Sequence, residues 1–152
     1  MELLLVRHGE AASAPMDEAG PPLNQAGKEE VKNLLGLLHS QSFRPEALWT
    51  SPLRRALQTS EILQKFWEVD SYTVEWLKPG VEPSRILKEL KALNKSSLVL
   101  VGHLPTLGWL FSVLLWGLPP KEISLPRASA ALLKVKSWEP SGAKIEWLLH
   151  PE

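Results

Sequence analysis

An α/β fold, a single three-layer α/β/α sandwich with a mainly parallel (mixed) sheet, is predicted by three observations on this 152-residue sequence. Short continuous apolar runs, the mark of strands buried on both faces, recur along the chain. Segments with apolar residues at helical spacing separate them, and strand–helix–strand connections lay neighbouring strands parallel. The last two strand candidates follow each other across a short Ser141-Gly142 connection, which suits an antiparallel pair and makes the sheet mixed. No repeat, low-complexity tract or linker interrupts the pattern, so residues 1–152 are expected to form one domain.

Each element has a local reason. Leu3 to Val6 is the first buried run, and residues 13–22 (SAPMDEAGPP) read as a loop of Pro, Gly and small residues. Asn24 can then cap a helix whose Val31, Leu34, Leu35 and Leu38 follow helical spacing. Ala47 to Thr50 predicts a second strand running into "SPLRR", where Ser51 suits an N-cap and Pro52 the first helical position of a helix reaching about Trp67. Tyr72 to Val74 is a weaker third strand. Pro83 starts a helix to about Leu93, "SSLVLVGH" is a strong buried strand, and another helix begins near Pro105. "AALLKV" and "KIEWLLH" complete the sheet.

Composition removes several classes of function. Seventeen basic and seventeen acidic residues cancel, so no global field favours nucleic acid or an anionic membrane, and any anion site must be local. With no cysteine there is no disulfide, thiolate metal site or thiol nucleophile. The stretch from Leu104 to Leu118 is too short to span a bilayer and is broken by Pro105 and Gly108. Only Met1 and Glu2 precede the first strand, without the regions of a secretory signal, so a soluble cytoplasmic protein is expected.

In open α/β sheets ligands bind beyond the carboxyl ends of the strands. Three strand-to-helix junctions here carry related chemistry: Arg7-His8-Gly9, Ser51 with Arg54 and Arg55, and Gly102-His103. Parallel strands would gather these basic groups on one rim, and helix N-termini would add partial positive charge there. A phosphoryl group suits such a rim. Arginine forks match phosphate oxygens and stay charged at physiological pH. A histidine beside Arg7 should have a lowered pKa, which favours the neutral, nucleophilic imidazole. Of the two adjacent arginines, Arg55 flanks the packed face traced by Leu53, Ala56, Ser60 and Leu63, while Arg54 lies nearly opposite and is expected to reach solvent. His39 and His150 have no such context and read as surface residues. Adjacent arginines and the lack of carboxylates at ligand spacing argue against a metal, and no Gly-rich nucleotide loop is present. No cofactor is expected.

"RHGE" after the first strand, "SPLRRALQT" and "VGHLP" resemble the histidine phosphatase superfamily, the phosphoglycerate mutase-like fold, from residue 3 to about 110. Within it the wording is most similar to the SixA-type phosphohistidine phosphatases. That resemblance implies that His8 is a nucleophile phosphorylated in a covalent intermediate, with Arg7, Arg55 and His103 binding the phosphoryl group. Gly9 would let the backbone bend beside the ligand.

Two departures stand out. Many relatives use a carboxylic acid to protonate the leaving oxygen, and in "VEWLKPGVEPS" the candidate proton donors are Glu75 and Glu82, neither in an alignable motif. A site without a committed acid suits a phosphohistidine, whose neutral imidazole leaves more readily than an alkoxide. Relatives of the SixA type also carry an arginine near position 21, where this chain has Pro21 in "PPLNQAG", so Lys28 is a substitute to consider. Trp109 and Trp116, seven apart on the helix after "GHLP", are expected in the core or between layers, with a partner-docking face as the alternative.

The leading expectation is therefore a metal-independent phosphatase acting on phosphohistidine of a signalling protein such as a phosphotransfer domain. The alternatives are a phosphomonoesterase for a small phosphate ester, with Glu82 or Glu75 as acid, and, in another class, a non-catalytic phosphate-binding module. Mutase activity is disfavoured by the lack of extra segments to shield a phosphoenzyme from water.

Overall fold

The computed structural model describes residues 1–151. Its strands are β1 (Glu2–Arg7), β2 (Ala47–Thr50), β3 (Asp70–Thr73), β4 (Ser97–Gly102), β5 (Ala130–Val135) and β6 (Ala143–Leu149). The helices are α1 (Gln25–Leu38), α2 (Arg54–Trp67), α3 (Pro83–Leu93) and α4 (Thr106–Trp116), with a short 3-10 turn at Glu75–Leu77. One six-stranded sheet runs in the order β3-β2-β4-β1-β5-β6. β1, β2, β3 and β4 are mutually parallel, whereas β5 is antiparallel to both β1 and β6, so the sheet is mixed as predicted.

Alternation along β1 divides the core. Leu3 and Leu5 face α3 and α4, packing with Ile86, Leu90, Leu107 and Leu110. Leu4 and Val6 face α1 and α2, packing with Val31, Leu34, Ala56 and Leu63. Fully burying one such side chain is worth about 1.5–3 kcal/mol, so the two apolar layers clamp the sheet from both sides. α4 is apolar on nearly its whole circumference and, apart from half-buried Trp109, buried from Thr106 to Leu114, which explains the greasy stretch as a core helix. Among the described residues no helix is long and apolar enough to cross a membrane.

Three expectations are corrected. The third strand begins at Asp70 rather than Tyr72, because its register is set by pairing with β2 and not by an apolar run. Tyr72 lies opposite Trp49 and stacks on it, centroids 5.5 Å apart. α2 starts at Arg54, later than Pro52, and Leu53 rather than Ser51 is the residue at its N-cap. Trp116 is 58% exposed, held edge-on against Phe111, and so lies outside the core; Trp109 is half-buried. Asn24 does cap α1, accepting a hydrogen bond from Gly27 N at 2.7 Å.

The entry to α1 also fixes β1's end. A Cβ built on Gly27 would lie 2.0 Å from the Glu10 carbonyl oxygen, and one on Gly9 would lie 2.7 Å from the Gly27 carbonyl oxygen. Two backbones therefore touch where neither can carry a side chain, and Gly9 serves this close approach. Gly27→Ala forces them apart, and the expected cost is about 2–3 kcal/mol, or roughly 5–10 °C in Tm. A thermal melt of the variant within about 2 °C of the parent protein would contradict that packing argument.

Candidate active site

Parallel β1, β2 and β4 end together, and their last residues are stitched side by side. His8 N donates to Gly102 O at 3.1 Å and Ser51 N donates to Val101 O at 3.1 Å. This register brings His8 and His103 to a ring-centroid distance of 5.0 Å. Both rings are buried. From the first turn of α2, Arg55 reaches the same spot and donates from Nε to His8 Nε2 at 3.3 Å. The four predicted residues Arg7, His8, Arg55 and His103 thus share one corner of the molecule.

The tautomer of His8 follows from its partners. Nδ1 lies 2.6 Å from Gly9 O, and a carbonyl can only accept, so Nδ1 carries the proton. Nε2 is left with a lone pair directed at Arg55. Gly9 N donates to Thr59 Oγ1 at 3.2 Å, and Thr59 Oγ1 donates to Arg55 O at 2.8 Å, so α2 and the peptide after His8 hold each other in place.

Ser51 explains its failure to cap α2. Its hydroxyl lies 2.7 Å from His103 Nε2 and accepts from Leu53 N at 3.3 Å. A local cap has been exchanged for a tertiary contact to the second imidazole. Arg7 turns along the sheet edge, donating from Nη1 to Leu125 O at 2.8 Å. Among the described residues the buried side-chain polar atoms without a partner are Arg7 Nε, His103 Nδ1 and Ser129 Oγ. Ser129 O accepts from Arg7 N at 3.2 Å, so all three belong to this corner. Such an unpaired group costs about 1–3 kcal/mol, a cost proteins tolerate chiefly where function requires the group free.

Electrostatics favour uncharged imidazoles beside charged guanidiniums. Burial is the largest influence lowering the His8 pKa from 6.5 to about 4; the Gly9 carbonyl opposes it, and Arg55, Arg7 and Arg127 add to the depression. The lowering expected from Arg7 is present, and loss of water adds a larger effect in the same direction. His103 is pushed down to about 2, again mainly by burial and then by His8, Arg55 and Arg7. Burial also lowers both Arg7 and Arg55 from 12.5.

Other expected residues fall elsewhere. Arg54 is not a free solvated charge: it grips Asp17 through two parallel bonds of 2.9 Å and donates to Gly20 O at 2.9 Å. It thereby ties the 17–20 loop to the start of α2, with Gly20 at φ +75° lying against the Arg55 guanidinium. Glu75 is exposed, pairs with Lys78 at 3.2 Å, and lines a groove with Asp17, Pro52 and Leu53. Glu82 precedes α3 and lines a different cavity, with Leu87, Lys91 and Trp138. Lys28 lines a third groove, with Lys32, Gln58 and Glu61. Pro21 is half-buried, and His39 and His150 are exposed as expected. Among the described residues no cluster of three or more His, Asp or Glu is arranged to hold a metal ion. Sequence reasoning passed over Thr59, the hydroxyl role of Ser51, and Arg127, whose loop has no motif.

The family model for the histidine phosphatase superfamily (branch 1) matches residues 3–78. Phosphohistidine phosphatase SixA of Escherichia coli (strain K12) is 26% identical over 156 residues, spanning 99% of this chain and 94% of that protein. A solved structure of protein histidine phosphatase SixA complexed with tungstate superposes with a TM-score of 0.85 at 25% identity, covering 99% of this chain and 97% of that one. The alpha-ribazole phosphatase of Shigella flexneri shares the fold at a TM-score of 0.75 and 18% identity, covering 97% and 96% of the two chains.

Proposed function

Since the chain belongs to the histidine phosphatase superfamily, and so is a phosphatase, we propose that it is a metal-independent enzyme that works through a phosphorylated His8. We take its preferred substrate to be a phosphohistidine on a cytoplasmic signalling protein. The observation that carries the reading is the unprotonated Nε2 of a neutral His8, held by Arg55 Nε and flanked by Arg7 and a second buried imidazole.

The chemistry follows from those positions. His8 Nε2 attacks phosphorus with its lone pair while the bond to the leaving group breaks, and the leaving nitrogen or oxygen takes a proton from solvent water. Water then attacks the phosphorus on Nε2, yielding inorganic phosphate and the free imidazole. Charge on the transferring group spreads over its equatorial oxygens, where the Arg7 and Arg55 forks can follow it. Leu53 N donates to one lone pair of Ser51 Oγ, which leaves the hydroxyl hydrogen free to point at His103 Nε2, and we assign it there. His103 then carries its own proton on Nδ1, the atom without a partner, and offers it to a phosphoryl oxygen. The likeness to a phosphatase complexed with tungstate, a tetrahedral oxyanion, supports an oxyanion at this corner.

Phosphohistidine is preferred because neither Glu75 nor Glu82 contacts the imidazoles, and an imidazole leaving group depends least on a strong acid. A small phosphate ester is the second reading, favoured by the Glu75 groove beside Pro52 and Leu53 at the start of α2. Phosphate release from a phosphohistidine protein, p-nitrophenyl phosphate and sugar phosphates, with metal chelated, separates the two. Strong turnover of one sugar phosphate that Glu75→Gln or Glu82→Gln removes would overturn the phosphohistidine assignment. Inertness towards every substrate would leave a phosphate-binding module.

The pH profile is a further test. Attack needs neutral His8, and its lowered pKa keeps that form present as pH falls from 6.5 towards about 4. The acid limb of kcat/KM is expected near pH 4, and a limb near the ordinary histidine value of 6.5 would contradict the buried, unprotonated imidazole. Stability shares the window: the unfolded chain binds a proton below 6.5 that folded His8 refuses until about 4, so acidification through this range destabilises the fold.

A further inference from the structure

The segment Leu125–Ser129, between α4 and β5, is bound to the end of β1 more tightly than a connecting loop requires. Leu125 O accepts from Arg7 Nη1, and Ala128 N lies 3.0 Å from Arg7 O and 3.1 Å from His8 O. Ser129 O accepts from Arg7 N, and Ala128 is fully buried at φ +55°. The backbone on both sides of Arg127 is thus clamped to the Arg7-His8 peptide, while its side chain is 46% exposed.

That side chain has one ionic partner among the described residues, Glu10, through a single contact of 3.4 Å. Glu10 is fixed in turn: Asn24 N donates to its carbonyl at 3.1 Å, and its own N–H donates to Glu30 Oε1 at 2.8 Å. A cation on one rigid arm and a carboxylate on another therefore face each other two residues beyond His8. One long, part-exposed ion pair is a weak tie. Arg127 is also near enough to depress both Arg7 and His8. A third cation crowded beside Arg7 and His8 and satisfied by only one carboxylate is poised to exchange that partner for a more highly charged anion.

We propose that Arg127 is a further phosphate-binding residue of this site, paired with Glu10 in the resting protein and transferred to the outer oxygens of the phosphoryl group when substrate binds. It supplies, from the opposite end of the chain, a cation that Pro21 cannot. The assignment rests on the phosphatase reading for its biological meaning, but its test does not depend on turnover.

Calorimetric titration with tungstate measures it. Arg127→Ala is expected to weaken tungstate binding about tenfold and Arg127→Lys only two- to threefold, because lysine keeps the charge but not the fork. Glu10→Gln should tighten binding several-fold by freeing Arg127, and the double variant with Arg127→Ala should show none of that gain. Unchanged affinity in Arg127→Ala, or a Glu10→Gln effect that persists without Arg127, would overturn the proposal. In turnover the Arg127→Ala loss should fall on KM, because ground state and transition state share the contact. A parent protein that binds tungstate but releases no phosphate refutes the phosphatase reading alone, and the binding series still decides the role of Arg127.

Discussion

His8→Ala is expected to lower phosphate release by at least about a thousand-fold, because it removes the imidazole proposed to accept phosphorus while the guanidinium groups remain. His8 ends the hydrogen-bonded part of β1 with its backbone held by Gly102 O and Ala128 N. Truncating the side chain leaves those bonds intact, so the variant should stay folded. The loss is therefore readable as chemistry. Acid-quenched parent enzyme, mixed with labelled substrate, should carry alkali-stable, acid-labile phosphate, and the variant none. Residual turnover above about one per cent of the parent rate would rule out covalent transfer through this imidazole.

Arg55→Ala should cost about 100- to 1000-fold in kcat, the usual consequence of removing one preorganised donor from a developing oxyanion. It also removes a positive charge that lowers the His8 pKa, so the acid limb should move upward towards 6.5. This joint outcome separates a group at the reacting centre from a merely structural one. Arg55→Lys should not restore the rate, because a point charge cannot both reach His8 and fork two oxygens. A kcat within tenfold of the parent, with an unmoved pH profile, would remove Arg55 from the site.

How much of this was legible in the sequence depended on what each residue answers to. The β5 run, the span of α3 and the Asn24 cap were readable because each is governed by its own composition: apolar continuity, a starting proline, and a side chain that bonds a neighbouring amide. Three strand ends carrying Arg7, His8, Arg55 and His103 were readable because parallel strands leave their carboxyl ends together. Where tertiary contacts compete, the local signal failed. Ser51 has an N-cap's chemistry, but the buried His103 ring lies 2.7 Å away and draws its hydroxyl. β3 (DSYT) is a polar edge strand whose start is dictated by β2, so no apolar run could mark it. Arg54 was assigned to solvent by helix geometry, which cannot foresee Asp17 arriving from a loop 37 residues earlier. Arg127 was invisible for the same reason: proximity to His8 is created by β5 folding back against β1.

The bond between Arg7 and Leu125 joins positions 118 residues apart. During synthesis the first strand emerges long before the partner that orients its guanidinium, so a nascent chain exposes the imidazole without a finished anion pocket. A chain that stops before Leu125 therefore lacks the carbonyl that holds the Arg7 guanidinium. Protease nicking between α4 and β5 should silence the enzyme while much of its secondary structure survives.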